Sequence, residues 1–325
     1  MKKVIAIDHG NNMIKSTHFS FPSGYMESDH LPHLGGDVLV YKDKEYTLSE
    51  KRLVQKNDKT VDDSFFILTL FAVGKEILKD LENAGVNPVS DEIMESSIPE
   101  PVSLGLLVGL PPLHYKAMYK NFEKYFTGRE QCIQFELNNR SFAVKIESVQ
   151  AFPQAYAAAL TVYDQIKDSQ IVNVVDLGGY TVDCLQLVSL QPNMSVCTSL
   201  YMGVNILYQR INEQVRATGA QNIHESVIES ILLNDWNTLG NYSESRIALV
   251  KSNAERFACE ILAEVAQTGL DLTEDKTVFV GGGSILLKEY LNKAEKATRA
   301  VFVDDLHANA KGYHIIYDNR KQDHG

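Results

Sequence analysis

The sequence predicts an α/β protein built from two related halves. Apolar runs of strand length alternate with helical patterns along the chain, and its 325 residues exceed the ~100–200 of one typical domain. An apolar run also ends twice in an aspartate–glycine turn, at Asp8 and, 168 residues later, at Asp176. A motif repeated at half the chain length indicates a duplicated domain, and we expect a ligand in the crevice between the copies.

The first half begins with the apolar run Val4–Asp8, which predicts a buried strand, and Lys15–Phe19 is expected to be its return strand. Between Asp62 and Asn83 apolar residues recur at helical spacing, which predicts a helix. The other elements expected in this half are a hairpin of Val38–Tyr41 with Lys44–Thr47, a strand at Leu104–Leu110, a helix at Lys116–Phe126 and a hairpin of Cys132–Leu137 with Ser141–Ser148.

The second half begins with Phe152–Ile166, an alanine-rich segment that predicts a closely packed helix. Ile171–Val175 predicts a second buried strand, and Thr181–Leu190 its return strand. The later elements expected are helices at Gly203–Arg216, Glu225–Leu233 and Glu244–Thr268, a strand at Val278–Val280, a helix from Gly281 through Ala300, a strand at Val301–Val303 and a helical turn at Asn309–Tyr317.

Composition excludes several classes of function. The net charge of −11, without any long Lys/Arg run, disfavours direct nucleic-acid binding, although backbone N–H groups and a cation could still bind phosphates. Four scattered cysteines without a C-x-x-C pair, and histidines without metal-ligand spacing, predict reduced thiols in a cytoplasmic protein. The longest apolar run, Leu104–Leu113, contains Pro111 and Pro112, so no membrane span is expected.

The two aspartate–glycine turns have the composition of phosphate-binding loops. Glycine lets several backbone N–H groups approach a phosphate, and Lys15 could return on the next strand as a cation. Asp8 and Asp176, at the strand ends, are expected to hold Mg²⁺ through its waters. The candidate phosphate-binding residues are Gly10, Asn11, Asn12 and Lys15 in the first loop and Gly178, Gly179, Tyr180 and Thr181 in the second.

Five segments together resemble the superfamily of actin, Hsp70 chaperones and sugar kinases. They occur in the order of the family's motifs and span Val4 to Ser284. They are the phosphate-1 motif at Ile7–Lys15, the first connecting helix at Val149–Leu160, the phosphate-2 motif at Asp176–Asp183, a nucleotide-contacting turn at Met202-Gly203 and the adenosine motif at Phe279–Ser284.

The resemblance implies duplicated actin-like (ribonuclease H-like) domains with a nucleotide cleft between them. Residues 1–155 plus 302–325 would form domain I, and residues 156–301 domain II. It also implies ATP or GTP with Mg²⁺ as cofactors, and the sequence does not decide between the two nucleotides. Further nucleotide contacts are expected from Gly203 and from Gly281, Gly282, Gly283 and Ser284.

Within the superfamily the chain is most similar to the ParM-type bacterial actin-like proteins. The carrying segments are Asn309-Ala-x-Gly312-Tyr313, Leu68–Glu76 and Val108–Pro111. This resemblance implies a nucleoside triphosphatase that forms filaments with itself and segregates plasmid or other extrachromosomal DNA through a DNA-binding adaptor of the ParR type. A small-molecule kinase or a non-polymerising ATPase of the same superfamily remains the alternative.

The residue that orients the attacking water has two candidates. ParM-like proteins usually carry Glu after Pro in the connecting helix, which selects Gln154, whereas actin-like spacing selects Gln150. Glutamine can orient water without being a strong base, so we expect slow hydrolysis. His9, beside Asp8, is expected to be a packing residue rather than a base.

Overall fold

The chain folds into two units, each built on its own β-sheet, in a computed structural model that describes residues 2–28, 36–85, 100–235, 237, 240 and 242–322. Unit 1 comprises Met1–Leu110, His114–Ala157 and Asn309–Gly325. Unit 2 comprises Pro111–Leu113 and Ala158–Ala308. Both units combine helices with strands, so the predicted α/β class is confirmed.

Unit 1 contains a nine-stranded sheet in the order β3-β2-β1-β7-β9-β8-β5-β6-β4. Its strands are β1 (Lys2–His9), β2 (Met13–Ser16), β3 (Ser20–Pro22), β4 (Tyr25–Ser28), β5 (Val38–Tyr41), β6 (Lys44–Leu48), β7 (Val102–Leu110), β8 (Ile133–Leu137) and β9 (Arg140–Pro153). The associated helices are α1 (Ser64–Asn83), α2 (Pro112–Thr127) and, at the end of the chain, α9 (Ala308–Gln322).

Aromatic side chains dominate the core of unit 1. Phe65, Phe66 and Phe71 from α1 and Phe122 and Phe126 from α2 are each at most 1% exposed and belong to one hydrophobic cluster. Burying a phenylalanine side chain stabilises a fold by roughly 1.5–3 kcal/mol. Packing against these helices therefore fixes β1, whose last residues carry the first aspartate–glycine turn.

Unit 2 contains a five-stranded sheet in the order β12-β11-β10-β13-β14. Its strands are β10 (Ile171–Leu177), β11 (Val182–Val188), β12 (Gln191–Leu200), β13 (Lys276–Val280) and β14 (Ala300–Phe302). Helix α3 (Tyr156–Leu160) begins in the last residues of the His114–Ala157 segment of unit 1 and ends in the first residues of the Ala158–Ala308 segment of unit 2. The helices described within unit 2 are α4 (Tyr163–Ile166), α5 (Val204–Ala217), α6 (Glu225–Leu232), α7 (Glu244–Gln267) and α8 (Gly282–Lys293). Its core joins β10 to α5 and α7 through Val175, Leu207 and Phe257.

The repeated motif corresponds to a repeated strand arrangement. In unit 1, β1 pairs antiparallel with β2, with Asp8 opposite Lys15, and parallel with β7. In unit 2, β10 pairs antiparallel with β11, with Asp176 opposite Asp183, and parallel with β13. Each aspartate thus lies near the end of a strand between an antiparallel hairpin partner and a parallel neighbour, as the predicted duplication requires.

The predicted helix Phe152–Ile166 is wrong in its bounds and continuity. Strand β9 continues to Pro153 because its end pairs with β7, up to Leu110 opposite Pro153. Ala155 has a φ of +58°, which is incompatible with a right-handed helix, so α3 starts only at Tyr156. The helical conformation is interrupted again between α3 and α4. Gln150, expected on the connecting helix, therefore lies in a strand.

Other predicted elements differ at their ends. The return strand expected at Lys15–Phe19 is β2, at Met13–Ser16. The helix expected from Gly281 through Ala300 ends at Lys293. Strand β12 was not predicted. It lies at the edge of the sheet, and none of its residues is fully buried.

Among the helices the structure describes, none has the length and apolar character needed to cross a bilayer. The four cysteines are free thiols, and burial raises the pKa of Cys184 to about 12.

Candidate functional site

Asp8 is held in the interior of unit 1 by two amide side chains. The residue is 5% exposed. Gln154 Nε2 donates a hydrogen bond to Asp8 Oδ1, and Asn309 Nδ2 donates to Asp8 Oδ2 over 3.3 Å. Because the two donors occupy different oxygens, the orientation of the carboxylate is fixed. The structure thus brings together two predicted site residues, Asp8 and Gln154, with a third, Asn309, that had been recognised only as part of a family-like segment.

The loop after β1 is tied to a neighbouring segment. A Cβ built on Gly10 would lie 2.6 Å from the Met13 carbonyl oxygen, so only glycine fits without a shift. The Asn11 side chain accepts from the Lys56 backbone nitrogen and donates to the Lys56 carbonyl oxygen, each over 3.3 Å. The Asn12 carbonyl oxygen accepts from the Ser23 backbone nitrogen at 3.1 Å. The turn is therefore held by hydrogen bonds to Lys56 and Ser23.

Lys15 lies on β2 opposite Asp8. Residues opposite each other in an antiparallel pair direct their side chains to the same face of the sheet. The ammonium group of Lys15 is therefore on the same face as the Asp8 carboxylate, as a phosphate-binding cation would need to be.

His9 is a packing residue, as predicted. It is fully buried, with ring centroids 5.4 Å from Phe126 and 5.5 Å from Phe122. The Thr69 hydroxyl donates to the Phe65 carbonyl oxygen, so the His9 Nε2 proton is donated to Thr69 Oγ1, at 2.8 Å. Burial, followed by the charge of Lys59, lowers the pKa of His9 to about 3, so the ring is neutral. Lys59 also donates to the His9 carbonyl oxygen.

The second loop, between β10 and β11, is closed by a hydrogen bond from the Gly178 backbone nitrogen to the Thr181 carbonyl oxygen, at 2.8 Å. Thr181 Oγ1 donates to Asp183 Oδ2 over 3.3 Å. In the part of the chain that the structure describes, the backbone N–H groups of Gly179 and Tyr180 make no hydrogen bond to another backbone group. These are the donors that a phosphate-binding loop must keep available.

The start of α5 is bonded directly to this loop. The backbone nitrogens of Gly203, Val204 and Asn205 donate to the carbonyl oxygens of Tyr180, Gly178 and Gly179, at 3.0, 3.1 and 3.0 Å. A Cβ on Gly203 would overlap the Gly179 carbonyl group. The predicted nucleotide-contacting turn at Gly203 and the second loop are therefore one rigid structure.

The glycine turn after β13 lies against the second aspartate. Gly281 has a φ of +89°, and a Cβ there would overlap Asp176 Oδ1. Gly283 packs equally closely on the Leu177 side chain, while Gly282 faces Leu306. Ser284 Oγ donates to the Val280 carbonyl oxygen at 2.6 Å, which fixes the first turn of α8.

Most of the predicted residues therefore group within their own units. Unit 1 brings together Asp8, Lys15 and Gln154, whereas Gln150 lies within β9, opposite Leu107. The grouped residues of unit 2 are Asp176, Gly178, Gly179, Tyr180, Thr181, Gly203, Gly281, Gly282, Gly283 and Ser284. Among the described residues, no group of three or more His, Cys, Asp or Glu could hold a metal ion by itself.

Two supporting residues lie far along the sequence from the groups that they contact. Lys59 lies 50 positions from the His9 carbonyl it binds, and Asn309 lies 301 positions from Asp8. The signal for Asn309 was its place in the Asn-Ala-x-Gly-Tyr segment. Lys59 carries no motif.

Comparison with known proteins supports the resemblance seen in the sequence. Residues 174–293 match the family model described as "Archaeal actin homologue MreB-like, C-terminal". This region contains the second loop, α5 and the glycine turn after β13. No curated protein sequence matches the chain.

Solved structures of actin homologues match the whole chain. The archaeal actin homologue Ta0583 gives a TM-score of 0.71 at 16% identity, covering 97% of this chain and 99% of that one. The ParM protein of pCBH, solved as a non-polymerisable quadruple mutant, gives 0.69 at 15% identity, covering 98% and 100%. The actin-like protein Alp7A gives 0.69 at 14% identity, covering 100% and 99%.

Other solved neighbours carry a nucleotide or form filaments. They include Ta0583 in complex with ADP, Bacillus thuringiensis ParM with ATP, and an Alp12 filament. Because the sequence identities to these structures are low, the structural similarity establishes the fold alone. The predicted resemblance is therefore confirmed: the chain has the actin-like fold over its full length, with ParM-type proteins among its structural neighbours.

Proposed function

We propose that this protein is an actin-like ATPase that binds a nucleoside triphosphate through both aspartate–glycine loops and assembles into filaments in that state. The observation that carries the proposal is the grouping in unit 2. There the Gly203 turn is bonded to the second loop, the Gly281 turn lies against Asp176, and, among the described residues, the backbone N–H groups of Gly179 and Tyr180 make no hydrogen bond to another backbone group. Such N–H groups and glycine surfaces suit a phosphate chain and a nucleoside better than a bulky substrate.

The residues present fit Mg²⁺ as the accompanying ion. Mg²⁺ keeps most of its waters and is usually bound through one or two carboxylates and the phosphates of the substrate, which suits Asp8 and Asp176. The close approach of Gly281 to Asp176 Oδ1 leaves that carboxylate with a glycine backbone, rather than a side chain, beside it. When bound, the ion would neutralise charge on the phosphate oxygens. Lys15, on the face of Asp8, would supply a further positive charge.

Gln154 is the better candidate for orienting the attacking water. The residue is 8% exposed, and its side-chain amide is bonded to Asp8, which fixes the direction of the amide. Gln150, in contrast, lies within a strand four positions earlier. Phosphoryl transfer depends mainly on positioning and charge stabilisation, so a fixed glutamine is sufficient for slow hydrolysis.

The cellular role proposed is segregation of plasmid or other extrachromosomal DNA in the cytoplasm. The net charge of −11 favours attachment through a ParR-type DNA-binding adaptor over direct DNA contact. Loss of the γ-phosphate would remove contacts to the loops and so weaken the assembling state. ATP is the proposed nucleotide, with GTP as the competing substrate.

Sedimentation and negative-stain microscopy of the full chain with Mg²⁺ and ATP, GTP or ADP test this function. We expect filaments and a rise in sedimenting mass with the triphosphate, and dispersal as phosphate is released. A particle of constant mass in all nucleotides would contradict filament formation. Phosphoryl transfer to a sugar or carboxylic acid, in place of release to water, would instead identify the protein as a small-molecule kinase.

A further inference from the structure

Asn309 makes hydrogen bonds with both the Asp8 carboxylate and the backbone nitrogen of Ala155. It is the second residue of α9, and its side chain is buried. Its Nδ2 donates to Asp8 Oδ2 over 3.3 Å, and its Oδ1 accepts from the Ala155 backbone nitrogen at 3.0 Å. Both ends of the amide are therefore engaged. Because one end must donate and the other accept, the orientation of the side chain is determined.

The bond to Ala155 acts on Gln154. Ala155 has a φ of +58°, a conformation that a residue with a Cβ rarely adopts without external support. On its other side, the Gln154 backbone nitrogen donates to the Leu110 carbonyl oxygen at 2.9 Å. Asn309 thus fixes the backbone immediately after Gln154, whose side chain donates to Asp8 Oδ1. The Asn309 amide therefore donates to one carboxylate oxygen of Asp8 and helps to position Gln154, which donates to the other.

Helix α9 is itself held firmly in unit 1. A Cβ on Gly312 would overlap the Ala157 carbonyl group, so the backbones of α9 and α3 are in contact. Tyr313 is fully buried and stacks on Phe152, with ring centroids 5.5 Å apart and planes 13° from parallel. Asn309 therefore approaches Asp8 from a rigid element.

We propose that Asn309 is a positioning residue of the nucleotide site, which orients Asp8 toward the magnesium ion and Gln154 toward the attacking water. This inference rests on the proposed function. Hydrogen-bonding partners that orient a metal-binding group typically change metal affinity by about 10- to 100-fold when removed. Asn309→Ala should therefore alter how nucleotide binding depends on Mg²⁺ more than nucleotide binding itself.

The test titrates Mg²⁺ into the full chain with a fluorescent ATP analogue, for the wild type, Asn309→Ala and Asn253→Ala. Asn253 is an equally buried asparagine in unit 2, bonded to Gln214 and to the Leu249 carbonyl oxygen, and serves as the matched control. We expect Asn309→Ala to raise the half-saturating Mg²⁺ concentration about tenfold or more, with binding in EDTA unchanged. Asn253→Ala should match the wild type.

A second background covers the possibility that Asn309→Ala fails to fold. In Ala155→Gly, glycine adopts the positive φ without a Cβ, so the backbone no longer depends on Asn309. The half-saturating Mg²⁺ concentration should still be higher in Ala155→Gly/Asn309→Ala than in Ala155→Gly. Equal half-saturation with and without Asn309 in either background would overturn this inference alone. A wild type that binds no nucleotide would overturn the proposed function and this inference with it.

Discussion

Gly203 contacts Gly179 so closely that a Cβ on Gly203 would overlap the Gly179 carbonyl group. The Gly203 backbone nitrogen also donates to the neighbouring Tyr180 carbonyl oxygen at 3.0 Å. The second loop and the start of α5 are separate motifs in the sequence. In the structure they are joined by this close contact and by backbone hydrogen bonds. The position of the loop depends on the absence of a side chain at Gly203.

Gly203→Ala should accordingly destabilise the protein and weaken nucleotide binding. Since the clash is with backbone atoms, α5 or the loop must move, at a cost of about 1–3 kcal/mol. Urea unfolding and titration with a fluorescent nucleotide measure both effects. Gly240→Ala is the control, because an added Cβ there meets nothing within 4 Å. Equal stability and affinity in the two variants would contradict the argument.

Asp176→Asn should abolish hydrolysis while the fold remains intact. The substitution keeps the shape of the side chain beside Gly281 but removes the charge proposed to hold Mg²⁺. Losing several kcal/mol of charge stabilisation corresponds to a fall of about 100-fold or more in phosphate release. The exposed Asp168, in the turn before β10, offers Asp168→Asn as a control with wild-type activity. Normal turnover by Asp176→Asn would exclude the assigned role.

Gln154→Ala should slow phosphate release by about 10- to 100-fold, because the water is no longer held in line. Assembly with ATP should be retained, so filaments should persist longer after nucleotide addition. Gln150→Ala is the matched variant, since Gln150 lies on β9 opposite Leu107. If Gln150→Ala alone slowed release, the actin-like alignment of this segment would be correct. Time-resolved phosphate release and light scattering separate the cases.

The sequence predicted the parts of the fold that depend on local pattern. The strands that contain Asp8 and Asp176 are largely apolar runs ending in a turn, and α1 has a regular apolar spacing, so all three were predicted to within a few residues. The end of β9 was misread because Phe152–Ile166 has helical composition. Pairing with β7 and the positive φ of Ala155 outweigh that propensity.

The candidate site was predictable only as separate motifs. Glycines at positions 203 and 281 marked places of close approach, but the sequence does not state what approaches them. In the structure these are the Gly179 carbonyl group and Asp176 Oδ1. The link from Asn309 to Asp8 crosses 301 positions and rests on tertiary packing of α9, which no local periodicity encodes.

The buried, neutral His9 makes stability depend on pH. Its pKa is about 3 in the folded protein against 6.5 ordinarily, so between these values the unfolded chain binds a proton that the folded chain does not. The free energy of unfolding should therefore fall as the pH drops below about 6.5, by up to ~1.4 kcal/mol per pH unit from this residue. Urea unfolding between about pH 6.5 and 4.5 measures this slope.

His9→Phe isolates that contribution. A phenyl ring suits the surrounding Phe65, Phe122 and Phe126, and Thr69 still has the Phe65 carbonyl oxygen as its acceptor. On acidification, the variant should lose stability less steeply than the wild type, because it lacks the contribution of His9 while the other titrating groups are unchanged. Parallel slopes for the two proteins would mean that His9 is protonated at little cost in the folded state. The aromatic enclosure would then not keep the residue beside Asp8 uncharged.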